Sequence, residues 1–203
     1  MIEKKQIEKF NLSKIARHKD GLNYLSKILK KNESDIEYII NKLSKLEIAI
    51  PSWALGMGGT RFGRFSIGGQ PRNLNEKIND VGILNTLTKS CGLISLHIPW
   101  DIPDDFQLIN KIAKSKGIKF DSVNSNTFQD QKDSKLSYKF GSLSHVDKNV
   151  RDLAINHNVE VINYGKKIGS KSLTIWLADG SSYPGPVSYT HLRAHEPPEH
   201  LVC

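Results

Sequence analysis

The 203-residue chain has only two cysteines, Cys91 and Cys203, which leaves no disulfide framework and no zinc-finger spacing. No apolar run reaches the roughly eighteen residues of a membrane-spanning helix. The first ten residues, MIEKKQIEKF, carry charge but no apolar stretch of a secretory leader. What remains is ordinary for a globular protein: 38% hydrophobic, 25% charged, mean hydropathy −0.41. A chain of this length can bury one sizeable core, and a cytoplasmic location is expected.

The net charge of +8 and pI near 9.4 raise a nucleic-acid reading. Lysines occur mostly as singles or pairs on helix faces, as at Lys4, Lys5, Lys30, Lys31, Lys166 and Lys167. A nucleic-acid surface concentrates them in a patch interleaved with aromatics. Solvated helix faces are therefore expected, with neither nucleic acid nor membrane as partner; a basic nucleic-acid-binding domain is the rival from another class.

Residues 7–46 show helical periodicity, with apolar residues at Ile7, Phe10, Ile15, Leu22, Leu25 and Ile28, then at Ile36, Ile39, Ile40 and Leu43. The break at 31–34 predicts two helices, the second capped by Ser34 or Asn32. From residue 47 the rhythm changes. Strands are expected at 48–53, 93–98, 118–123 and 173–177, and helices at 74–87, 105–116 and 147–168. Asn73, three residues before Glu76, resembles a capping box. Alternating strands and helices predict a parallel α/β sheet, and the pattern leaves an open doubly wound sheet and a closed barrel equally available.

The end of the chain differs in kind. VSYTHLRAHE, from Val187 to Glu196, resembles one reading frame of a sequencing adapter, so 186–203 is expected to be a non-native tail. His191, His195, His200 and Cys203 lie there, and their apparent metal-ligand character is discounted accordingly.

Polar, aromatic and ionisable residues gather where each expected strand ends. These are Trp53 before the Gly-rich run 56–59, His97 before Pro99-Trp100-Asp101, Asn124 to Phe128, and Trp176 before Asp179. In a parallel α/β protein that edge forms the site. The Gly-rich run lacks phosphate-loop spacing and precedes no helix, so a βα loop is the better reading. Trp53 and Trp176 suit either core filling or a sugar pocket, since sugar C–H faces stack on indole. His97 suits either burial or a hydrogen bond to substrate or Asp101. His145, beside a Ser144 cap, and His157, on a helix stripe, are expected to be structural. Ser95, Ser125 and Ser181 lack a nucleophile elbow.

The segments IPSWALGMGGTRFGRF, SLHIPWD, FDSVNSNTFQD, SYKFGSLSH and IGSKSLTIWLADGSSYPG together resemble L-rhamnose isomerase, in the xylose-isomerase-like group of bacterial sugar isomerases. The resemblance runs from Pro51 to Gly185 and more loosely through the N-terminal helices. It implies a (β/α)₈ TIM barrel, usually tetrameric. Residues 1–46 would be a helical extension and 47–185 the first half of the barrel, about four β/α units. It implies that Trp53, His97 and Trp176 bind the sugar and that Phe62 helps close a neighbouring subunit's pocket. The implied activity interconverts L-rhamnose and L-rhamnulose with divalent cations, manganese at the catalytic position and zinc or manganese at the second. Another sugar isomerase or a ketose epimerase is the alternative. The family's metal ligands and catalytic residues come from strands five to eight, with no counterpart here. Neither catalytic nor metal residues are therefore expected in this chain, and His97, Asp101 and Asp179 do not replace them. The chain alone is expected to be inactive.

Overall fold

The computed structural model describes residues 3–55, 59–60, 63–64, 68–130 and 134–177; the expected tail, with its histidines and Cys203, lies outside them, as do Phe62 and Asp179. Two helices come first, α1 (Lys4–Lys31) and α2 (Ile36–Leu43). The cap of α2 is Asp35, not Ser34 or Asn32: its carboxylate accepts the Tyr38 N–H at 2.9 Å. Asn32 instead closes α1 with its own N–H, and Glu33 turns the chain at φ +56°. Asp35 is thus the extended residue beside the free amides of the next turn. Helix α1 holds nine of the 29 basic residues and two of the 21 acidic ones. The charge is therefore less evenly spread than the lysine pairs suggest, with +7 of the +8 on one element.

The alternating part follows as β1 (Ala49–Pro51), one 3₁₀ turn (Ser52–Ala54), a short antiparallel pair β2 (Gly59–Thr60) and β3 (Gly63–Arg64), and α3 (Leu74–Thr88). Then come β4 (Leu93–Ile98), α4 (Phe106–Ser115), β5 (Lys119–Thr127), α5 (Lys148–Ile168) and β6 (Ser172–Leu177). Four strands form one parallel sheet in the order β1-β4-β5-β6. The spatial order follows the chain without reversal, so these strands contain no switch point of a doubly wound sheet. Among the described residues β1 pairs only with β4, and β6 only with β5.

Strand β1 is shorter than expected because Ser52 turns away, its hydroxyl hydrogen-bonded to Asp101. Strand β5 is longer, continuing from Val123 to Thr127 through residues of low strand propensity. Neighbours on both sides overrule that propensity. Asn124 pairs with His97 and Thr174, and its Nδ2 donates to the Leu96 carbonyl at 2.9 Å.

Helices α3, α4 and α5 cover one face of the sheet, burying Ile78, Val81, Ile94, Leu96, Ile98 and Val161 in one cluster. Each such side chain contributes about 1.5–3 kcal/mol when removed from water. Helix α5 lies close because Gly165 has no side chain: a Cβ there would stand 3.0 Å from a Val123 methyl. Strand alternation turns His97, Asn124, Asn126 and Trp176 to the opposite face. Among the described residues no helix is long and apolar enough to cross a membrane.

Candidate functional site

Helix α3 begins at a strong cap, with Asn73 Oδ1 accepting the Glu76 N–H at 3.0 Å. The return arm of a capping box goes elsewhere. Glu76 accepts from the Arg72 N–H and guanidinium, each at 2.7 Å, which lowers the Glu76 pKa and raises that of Arg72. The cap sets the helix phase, and Leu74, Ile78 and Val81 face the sheet. Lys77 falls on the same buried face, and its ammonium reaches Asp101 Oδ1 at 2.6 Å.

Asp101 ends a tight return of the chain after β4. Its N–H donates to the His97 carbonyl at 2.9 Å, and the Ile98–Pro99 peptide within the return is cis. Its Oδ2 accepts the His97 N–H at 2.7 Å and the Ser52 hydroxyl. The carboxylate is 1% exposed, so its donors replace water entirely. One side chain thereby joins helix α3, the turn after β1 and the end of β4. The bond to His97 runs through the backbone amide, whereas an imidazole–Asp101 bond was one of the sequence expectations.

Five rings converge beside this junction. His97 lies 5.6 Å from Trp53 with ring planes at 70°, 4.0 Å from Trp100 and 5.9 Å from Phe128. Trp176 lies 6.2 Å from Trp53 at 87° and 6.0 Å from Phe128. The Trp176 Nε1–H donates to Asn124 Oδ1 at 3.0 Å, which fixes the indole edge. All three tryptophans of the chain thus join one ring cluster with His97 at the C-terminal end of the parallel strands, Trp176 through Trp53 and Phe128. Trp176 is 44% exposed and can stack on apolar C–H surfaces, whereas His97 is buried in the cluster.

Trp53, His97 and Trp176 are therefore together, as expected; Phe62 lies outside the described residues. Trp100, Phe128 and Asn124 also belong to the cluster, and their places just after or within strand ends were the available signal. Lys77 was missed, although a lysine at the Leu74/Ile78/Val81 spacing marks a charge on an apolar stripe. The cap of α5 is Asp147, not the expected Ser144, and His145 Nδ1 accepts the Asp147 N–H. His157 is structural, with Nε2 accepting the Asn126 N–H at 3.0 Å. Burial lowers its pKa, while Glu160 and the Ile98 backbone pull the other way.

Among the described residues no group of three or more His, Cys, Asp or Glu could hold a metal ion. The one deeply buried carboxylate of the site, Asp101, is already taken by Lys77, Ser52 and the His97 amide. These residues do not fit a divalent centre. A recess of about 680 Å³ opens at the other end of the sheet, around Leu93, Lys119 and Ser172. It contains none of the tryptophans.

No family model matches the chain. Curated relatives do. The chain is 50% identical over 161 residues to a probable sugar isomerase of Mesorhizobium japonicum, covering 79% of this chain and 37% of that protein. It is 45% identical over 162 residues to a probable sugar isomerase of Rhizobium meliloti, covering 80% and 37%. The chain is homologous to probable sugar isomerases. It spans little more than a third of their length.

Proposed function

We propose that this chain forms the sugar-facing part of an aldose–ketose isomerase acting on L-rhamnose and L-rhamnulose. The observation that carries this reading is the meeting of Trp53, Trp100 and Trp176 with His97 at one rim, in a homologue of probable sugar isomerases. Trp53, His97 and Trp176 contact the sugar, and Phe62 reaches a neighbouring subunit's pocket in a homotetramer. The four-stranded sheet is the first half of a (β/α)₈ barrel spanning 47–185, with 1–46 as a helical extension and 186–203 a non-native tail. The open edges at β1 and β6 support closure by further strands. The divalent cations of the complete enzyme, manganese foremost, have their ligands in that further length, since the residues described here offer no centre.

Tryptophan fluorescence tests the sugar reading, because every indole of the chain lies in the cluster. Titration with L-rhamnose, L-mannose, D-allose and D-xylose should change the emission saturably, strongest for L-rhamnose. The same chain with manganese should show no isomerisation. Metal-dependent turnover by a monomeric 203-residue product would overturn the division of labour between this chain and the rest.

A second reading rests on the +7 carried by α1, which suits a polyanion. Filter binding that weakens steeply with salt, without any response to sugars, would favour it.

A further inference from the structure

Resting on the sugar-site reading, we propose that Asp101, neutralised by Lys77, is the positioning residue of the rim. It sets Trp53 through Ser52 and His97 through the backbone amide. Neither Asp101 nor Lys77 stacks in the ring cluster; both act from behind it.

The partners explain why. Ser52 immediately precedes Trp53 and begins the 3₁₀ turn that carries it, so the hydroxyl bond to Asp101 holds the root of that indole. The His97 N–H shares its Cα with the imidazole, so the bond to Oδ2 fixes the base of the ring. One carboxylate oxygen receives both bonds. The spacing between the two rings, 5.6 Å, is thereby determined by one atom rather than by two strands moving separately. Lys77 binds the other oxygen and belongs to α3, which lies in the core. The junction is consequently anchored to the most buried part of the molecule.

Stability alone accounts poorly for such a pair. Desolvating two charges costs about as much as their attraction returns, and apolar residues of similar size commonly do as well or better. An apolar trio could fill the space. It could not hold a hydroxyl and an amide on one point, which is what ring placement needs.

The test uses the full 203-residue chain labelled with 5-fluorotryptophan, its three ¹⁹F signals assigned by single Trp→Phe replacements. Ser52→Ala and Asp101→Asn are compared with Ile78→Val, a core change on α3, the helix of Lys77, that leaves the junction intact. Ser52→Ala and Asp101→Asn should shift the Trp53 signal more than the Trp176 signal. Ile78→Val should lower Tm and shift neither. In sugar titrations Asp101→Asn should weaken binding about tenfold, the size of one charge-assisted hydrogen bond, and Ile78→Val should leave it unchanged. Ser52→Ala keeps the ion pair, so it decides the matter even if Asp101→Asn does not fold. If Tm falls in the junction variants while the Trp53 signal stays at its wild-type position, the role is only structural and the proposal is overturned. If the wild-type chain answers to no sugar but the Trp53 signal still moves, the sugar reading fails and the positioning of the rings stands.

Discussion

Strands β4 and β6 are both six residues long, run in the same direction and each deliver one ring to the cluster, yet their surroundings are opposite. Strand β4 is paired on both sides, and five of its six residues are buried. Among the described residues strand β6 is paired with β5 alone, and five of its six residues are exposed, Ile175 at 42% and Trp176 at 44%. His97 is consequently buried, while Trp176 is held at the margin by Asn124 and by neighbouring rings. Half of the candidate site is preorganised by burial; the other half depends on a few side-chain bonds. Among the described residues this edge is unpaired, with Ile175 and Leu177 exposed, and edges of that kind favour association.

The largest expected effect contrasts the two strands directly. Ile94→Ala in β4 empties a fully buried site and should cost about 2–5 kcal/mol in chemical denaturation. Ile175→Ala in β6 should cost less, about 1 kcal/mol, because its side chain is already partly in water. Equal losses would mean that β6 is covered in solution, by another copy or by chain outside the described residues.

A smaller effect concerns the tether. Asn124→Ala removes the acceptor for the Trp176 indole and the donor to Leu96, at a cost of about 1–2 kcal/mol. Its sharper signature is optical: in a chain where Trp176 is the only tryptophan, emission should move to the red and acrylamide quenching should rise. Unchanged quenching would show that the neighbouring rings suffice to hold the indole.

The same contrast explains what could be read in advance. Leu93–Ile98 was legible residue for residue, because an apolar run between Gly92 and Pro99 needs no partner to be recognised. The second half of β5 was not. Asn124 to Thr127 carry turn-prone residues, and pairing with the flanking strands, reinforced by side-chain bonds to Leu96 and Trp176, makes them a strand. The caps divide similarly. Asn73 was the one good candidate at its helix start, whereas the expected caps of α2 were Ser34 or Asn32, and the turn at Glu33 leaves that place to Asp35. For the site, aromatic residues at strand ends were visible because position along the chain gives the edge. Lys77 and Ser52 were not, since each acts on the rim through Asp101 from a different element, and periodicity carries no record of that meeting.

The smallest effect lies on β5, the strand shared by the two environments. His157 reaches it from α5, and its Nε2 accepts the Asn126 N–H, which only a neutral imidazole can do. Burial holds its pKa below the ordinary value near 6.5 in the folded chain. Above about pH 6.5 the residue is neutral in folded and unfolded chains alike, so its contribution is complete and constant. As pH falls through that value, unfolded chains take up a proton that the folded chain resists, and stability declines until the lowered folded pKa is reached. His157→Gln should therefore flatten the decline below about pH 6.5, while other titrations, common to both proteins, cancel in the difference. A wild-type curve parallel to that of the variant across this range would show that His157 ionises freely. The joint between β5 and α5 would then not rest on this bond.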